Sequence, residues 1–140
     1  MRGQRYHGLR NALPGAALVV AGLWWRKRRP FRVAVEGTSM APTLEPGDLL
    51  VAVRPKVLHA GTLVVVEHPE RPGFELVKRL AAGPGDVVNG RTLGLEEWWV
   101  LGDEPGASTD SRDFGPVAAD SIRGEVRLRY WPLPRVAWFG

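Results

Sequence analysis

Two segments of this 140-residue chain carry side chains that could do covalent chemistry together. In the run FELVKRL, extended alternation puts Phe74, Leu76, Lys78 and Leu80 on one face and Glu75, Val77 and Arg79 on the other, so Lys78 shares an apolar face. One account of that position is an edge-strand lysine whose ammonium snorkels to water. The other is an amine desolvated until it is neutral. With an ordinary lysine pKa near 10.4 only about 0.04% is neutral at pH 7, so a useful base needs its pKa lowered by roughly three, or about 4 kcal/mol of differential solvation. A base needs a nucleophile, and VEGTSMAPTL offers Ser39, two residues after Gly37 and three before Pro42. Serines in Gly/Pro loops mostly form turns, and a hydroxyl becomes a nucleophile only when a base removes its proton. Lysine is one of the groups that replaces histidine in that role.

Other chemistry is poorly supplied. The chain has no cysteine, which removes disulfides, thiolate metal sites and cysteine nucleophiles together. His7, His59 and His68 have neither a triad context nor the spacing of metal ligands. No metal and no cofactor is expected.

The elements that must position Ser39 and Lys78 read as strands. From Phe31 onward apolar residues alternate by twos in 31–35, 48–53, 62–68, 74–80, 86–89, 98–102 and 125–131. EPGD, HPERPG, GPGD and DEPGAS, each with Pro, Gly and an acid, stop one strand before the next. Helical periodicity is nearly absent after Trp25. The expectation is an all-β domain over 31–140, a compact barrel or sandwich of folded sheets, preceded by a short N-terminal hydrophobic helix.

The net charge of +4 divides unevenly along the chain. Residues 1–32 hold eight basic side chains and no acid, leaving eleven basic against fifteen acidic in the rest. The body is therefore acidic, without the positive face that nucleic acid needs, and no nucleic-acid partner is expected. Residues 11–25 are uncharged, with AALVVAGLWW at their heart. As a helix they would reach about 22 Å against a hydrocarbon core of about 30 Å, short for a span, although flanking arginines and paired tryptophans suit an interface. Residues 1–30 are read as a basic membrane-anchor segment that meets lipid through residues 11–25. The alternatives are a buried or interfacial helix and a cleavable export signal, the latter opposed by the bulky, basic sequence after the apolar run.

Three segments together resemble the signal peptidase I family of serine-lysine endopeptidases. GTSMAPTLEPGD is similar to the family's nucleophile segment, VKRLAAGPGD to its lysine segment, and WVLGDEPGASTDSRDFGPV to a third segment, in the family's order across roughly residues 33–131. The resemblance implies a signal-peptidase-like folded β-sheet domain with Ser39 as nucleophile and Lys78 as general base. Ser108 would orient the lysine amine, and Asp110 would pair with Arg112 and Arg79. Gly37, Thr38, Met40 and Pro42 belong to the nucleophile loop. The oxyanion would be held by the Ser39 N–H and a second donor, for which some members use a serine where this chain has Gly37; Thr38 or a backbone N–H is the substitute. Glu104 stands where the family has asparagine.

Only 38 residues separate Ser39 from Lys78 and 29 separate Lys78 from Ser108, too few for the large inserted domain of long export peptidases. Spacing and wording look most like the nickel-type superoxide dismutase maturation protease group. The implied activity is removal of an N-terminal propeptide from a protein precursor, with nickel-type superoxide dismutase as the expected substrate. General signal-peptide removal is the alternative, and a catalytically inactive, membrane-tethered β-domain is a second. A cell-membrane location is expected. Five basic residues follow the apolar stretch 11–25 and three precede it, which favours a cytoplasmic catalytic body, a topology that a reporter fused after Gly140 would read.

Overall fold

The computed structural model describes Gly22 and residues 29–140. Apart from Gly22 and residues 29–30, the anchor segment, with its expected helix and its lipid contact, lies outside the described residues. No helix among the described residues is long and apolar enough to cross a membrane.

All seven expected strands form: β1 (Phe31–Ala34), β2 (Leu49–Val53), β3 (Leu63–Glu67), β4 (Glu75–Ala82), β5 (Val87–Val88), β7 (Glu97–Leu101) and β9 (Ile122–Trp131). Three two-residue strands, β6 (Arg91–Thr92), β8 (Val117–Ala118) and β10 (Ala137–Trp138), were not expected, being too short to show a period. An eight-stranded sheet runs β1-β2-β9-β3-β4-β7-β8 with β10 beside β9, while β5 and β6 form a separate hairpin. Every pairing is antiparallel. Register shifts at Leu49/Leu50, Val51/Ala52, Val65/Val66 and Leu80/Ala82 add local twist and curl the sheet.

The central strand β3 is buried on both faces, which is why LVVV reads as a continuous apolar run. Leu63 and Val65 join one core with Val35, Met40, Leu44, Leu50, Ala52 and Val126. Val64 and Val66 join the other with Leu80, Val100, Val117 and Ile122. Lys78 is the register partner of Val64, so it stands on the side of the second core, between Leu76 and Leu80. Glycine is required at Gly124, opposite Val65, because a Cβ there would meet the Phe31 ring at 2.6 Å.

Asp48, at the end of the EPGD turn, is almost fully buried and ties this turn to the far end of the chain. Its carboxylate accepts from the Glu45 N–H (2.9 Å), from Arg129 Nη1 (3.1 Å) and from Arg135 Nη1 (3.2 Å). Removing one member of a buried ion cluster leaves the others desolvated and unpaired. Asp48→Ala is expected to lower stability by about 3 kcal/mol, read as a lower urea midpoint at an unchanged slope; a midpoint equal to that of the unmodified chain would contradict this account of Asp48.

Candidate active site

Ser39 lies on the turn that follows β1, and local bonds shape that turn. The Ala41 N–H donates to Thr38 O (3.0 Å) and the Leu44 N–H to Met40 O (2.8 Å), while Met40 and Leu44 are sunk in the first core. Pro42, joined to Ala41 by a cis peptide, carries the chain onward. The far wall is the segment after β7. There the Glu104 N–H donates to Ser39 O (2.9 Å), and the Thr43 hydroxyl donates to Asp103 Oδ2 (2.6 Å).

Lys78 comes up from β4 into the space between. Its Nζ is 2.8 Å from Ser39 Oγ and 3.0 Å from Ser108 Oγ, and the residue is only 2% exposed. Burial is the chief influence on the amine and pushes its pKa down from the ordinary lysine value; Asp110 pushes it back up, and Arg112 lowers it again. The expected apolar-face lysine is therefore a buried one, and the snorkelling alternative is set aside.

Behind Ser108 stands Asp110, fully buried and the N-cap of a one-turn helix, α1 (Ser111–Phe114). The DSRD sequence builds that cap: Asp110 accepts from the Arg112 N–H (3.1 Å) and the Asp113 carboxylate accepts from the Asp110 N–H (3.0 Å). Asp110 Oδ2 also accepts from Ser108 Oγ (2.7 Å), the Gly102 N–H (2.9 Å) and Arg112 Nη2 (2.6 Å). Burial alone would push this carboxyl up, but hydrogen bonds from Arg112, Gly102 and Ser108 together hold it well below the usual carboxylate range. Gly102 is glycine because a Cβ would fall on the Ser108 hydroxyl and within 2.6 Å of Ser39 O.

These bonds fix a direction. An ionised carboxylate only accepts, so Ser108 spends its proton on Asp110 and can only accept from Lys78. A neutral amine that donates to Ser108 keeps its lone pair for the Ser39 hydroxyl. The cluster can thus remove a proton from Ser39 and return it to a leaving group.

One expected pairing is corrected. Arg79 does not reach Asp110; its Nε and Nη2 hold Asp103 at 2.8 and 2.6 Å, and Nη1 donates to Gly61 O (2.8 Å). Alternation explains the difference, since Arg79 points away from Lys78 and its register partner Leu101 leads by two residues to Asp103. The Arg79 hydrogen bond holds the Asp103 carboxyl below its ordinary range. Asp110 pairs with Arg112 as expected. Thr43, Asp48 and Asp103 brace the nucleophile turn; Asp103 belongs to the Gly-Asp of the third family segment, while Thr43 and Asp48 lie in the nucleophile segment without having been expected as site residues.

Two hollows meet at Ser39. A cleft of about 490 Å³ runs between β1 and the start of β4, walled by Val33, Val35, Val65, Leu76 and Val77. Among the described residues its two long sides are unpaired backbone: β1 pairs with β2 alone, and β7 joins β4 only from Arg79 onward. A second hollow of about 260 Å³ is lined by Ser39, Lys78, Thr38 and His68, a histidine whose sequence context gave no triad or metal role. Gly37 supplies no side-chain donor there, and the Ser39 N–H has no partner among the described residues. No cluster of three metal-ligating side chains occurs among the described residues.

The profile of the family "Signal peptidase, peptidase S26" matches residues 11–96 and 89–131. The chain belongs to this family. Mitochondrial inner membrane protease subunit 1 of Xenopus tropicalis is 33% identical over 115 residues, 72% of this chain and 69% of the relative. Subunit 2 from Mus musculus is 34% identical over 119 residues, covering 72% and 67%. The ATP-independent inner membrane protease subunit 1b of Arabidopsis thaliana is 34% identical over 120 residues, covering 74% and 71%. The chain is thus a serine peptidase of the signal peptidase I type. These relatives carry a different name from the nickel-type superoxide dismutase maturation group expected above.

The electrostatics predict a pH shift. Arg112 lowers the pKa of Lys78 and also offsets Asp110, which raises it. In Arg112→Gln both changes favour the ammonium form, so the rising alkaline limb of kcat/KM is expected to move to higher pH. A limb that stays in place or moves down would contradict the assignment.

Proposed function

We propose that Ser39 and Lys78 form a catalytic dyad that cuts an N-terminal extension from a protein precursor. The observation that carries this reading is the 2.8 Å contact between a hydroxyl and a buried amine whose other contact, Ser108, is fixed as an acceptor. A stretch of extended precursor would add itself to the free edges of β1 and β4, with small and medium apolar side chains in the cleft. Ser39 Oγ attacks the scissile carbonyl as Lys78 Nζ takes its proton. The resulting oxyanion is met by the Ser39 N–H, which is free for the purpose, and by a second donor from the Gly37–Thr38 backbone or the Thr38 hydroxyl. Collapse expels the amine, which leaves with the proton from Lys78. Water then gives a proton to Lys78 Nζ as its oxygen attacks the ester carbonyl, and the ammonium returns that proton to Ser39 Oγ as the ester C–O bond breaks and the acid product leaves.

Residues 31–140 would be the catalytic domain and 1–30 its anchor. Membrane association draws support from the apolar stretch 11–25 between arginines and from relatives named as inner membrane proteases. The compact spacing of Ser39, Lys78 and Ser108 makes a nickel-type superoxide dismutase precursor the first substrate to try, and the names of the relatives favour testing other membrane-delivered precursors beside it.

Ser39→Ala, Lys78→Ala and Lys78→Arg are each expected to lower cleavage of a precursor by at least about a thousandfold with the fold retained, guanidinium being unable to deprotonate. Ser108→Ala should leave a residual rate, because the amine loses its orienting partner and keeps its lone pair. Substantial turnover in any of the first three, followed by gel and mass spectrometry, would sink the dyad.

A further inference from the structure

The second hollow beside Ser39 has donors on its walls and no carboxylate. Lys78, His68, Arg71, Thr38 and Thr109 all face it. Two of these are held in place by the β3–β4 turn. The His68 N–H donates to Phe74 O (2.8 Å), the Arg71 N–H to His68 O (3.1 Å) and the Phe74 N–H to Arg71 O (3.0 Å), so the turn is internally braced. The Arg71 guanidinium lies 4.5 Å from the centre of the Phe74 ring, a cation–π contact that fixes its direction while leaving its N–H groups open. It forms no ion pair among the described residues. The buried His68 ring packs against Phe74 and Phe114, at 6.2 and 5.0 Å between centroids. Its Nδ1 accepts from the Glu70 N–H (3.1 Å), so the proton of the neutral ring sits on Nε2, which has no partner among the described residues.

A peptide whose scissile carbonyl reaches Ser39 has one half in the cleft between β1 and β4. The other half must leave across this second hollow, since both hollows share Ser39. We propose that the turn 68–74 forms a subsite for an acidic substrate side chain next to the scissile bond, with Arg71 as its specificity-determining residue and the His68 Nε2–H as a second donor. The inference rests on the dyad reading above. An acid brought near Lys78 without Arg71 would favour the ammonium, so the guanidinium serves the substrate carboxylate as Arg112 serves Asp110.

The test uses the full chain in detergent micelles and one cleavable peptide sequence carrying Glu, Gln or Lys at each of the two positions on either side of the cut. The unmodified enzyme should prefer Glu to Lys at one position by about fivefold in kcat/KM at low salt, less at high salt, as for an exposed ion pair. Arg71→Gln should flatten that preference and Arg71→Glu reverse it. Equal rates for Glu, Gln and Lys in the unmodified enzyme, or a Glu preference that persists in Arg71→Glu, would overturn the subsite. Cleavage that survives Ser39→Ala, or no cleavage of any peptide, would instead remove the dyad reading itself.

Discussion

A lysine amine is a base at neutral pH only where its charged form is disfavoured, yet an amine held in place needs polar partners, and the nearest anion here favours the charge. Lys78 is buried with the ionised Asp110 in the same cluster, and the two demands are reconciled by what stands between and behind them. Ser108 takes the hydrogen bond from Lys78 and passes its own proton to Asp110, so the amine touches a hydroxyl and not a carboxylate. Arg112 grips Asp110 through Nε and Nη2 from the outer side, at 2.9 and 2.6 Å, and opposes its pull on the amine. That one buried carboxylate sets the direction of the bonds from Ser108 and Arg112 and, through Ser108, of the bond from Lys78.

Such an arrangement tolerates little displacement, and the fold braces it from two sides. Thr43 is the joint: its hydroxyl donates to Asp103, which Arg79 holds, and its carbonyl accepts from Arg129 Nη1 at 2.7 Å, which Asp48 holds. The nucleophile turn is thus pinned both to the strand that carries Lys78 and to the long strand β9. Gly102 lets the third segment close against Ser39 and Ser108 at backbone distance. Hydrogen bonds of this kind contribute about 1 kcal/mol each to stability; their larger effect here is geometric, because proton transfer needs heavy atoms within about 3 Å.

Much of this was legible in the sequence, for local reasons. Strict alternation and Pro/Gly turns mark the strands, whereas the apolar face around Lys78 suits a snorkelling amine as well as a buried one, and only the resemblance to the family pointed to the second. The pairing of Asp110 with Arg112 was implied by the family resemblance, and the structure forms it within a single helix cap. Arg79 and Asp103 are 24 residues apart and meet only because β4 and β7 pair in one particular register, which no local pattern reveals. Asp48 reads as the acid of an exposed turn and is buried only because Arg129 and Arg135 return from the other end of the chain. His68 likewise reads as a strand end beside proline, and enters the site hollow because the β3–β4 turn folds over it.

The central claim is that burial in this fold lowers the pKa of Lys78, and it can be measured without any substrate. The chain has three lysines, so carbon-13 labelling of lysine gives three ε-carbon resonances, with Lys78 assigned by its loss in Lys78→Arg. The resonance of Lys78 should titrate with a midpoint clearly below 10.5, the ordinary lysine value. A midpoint at or above that value would contradict the account.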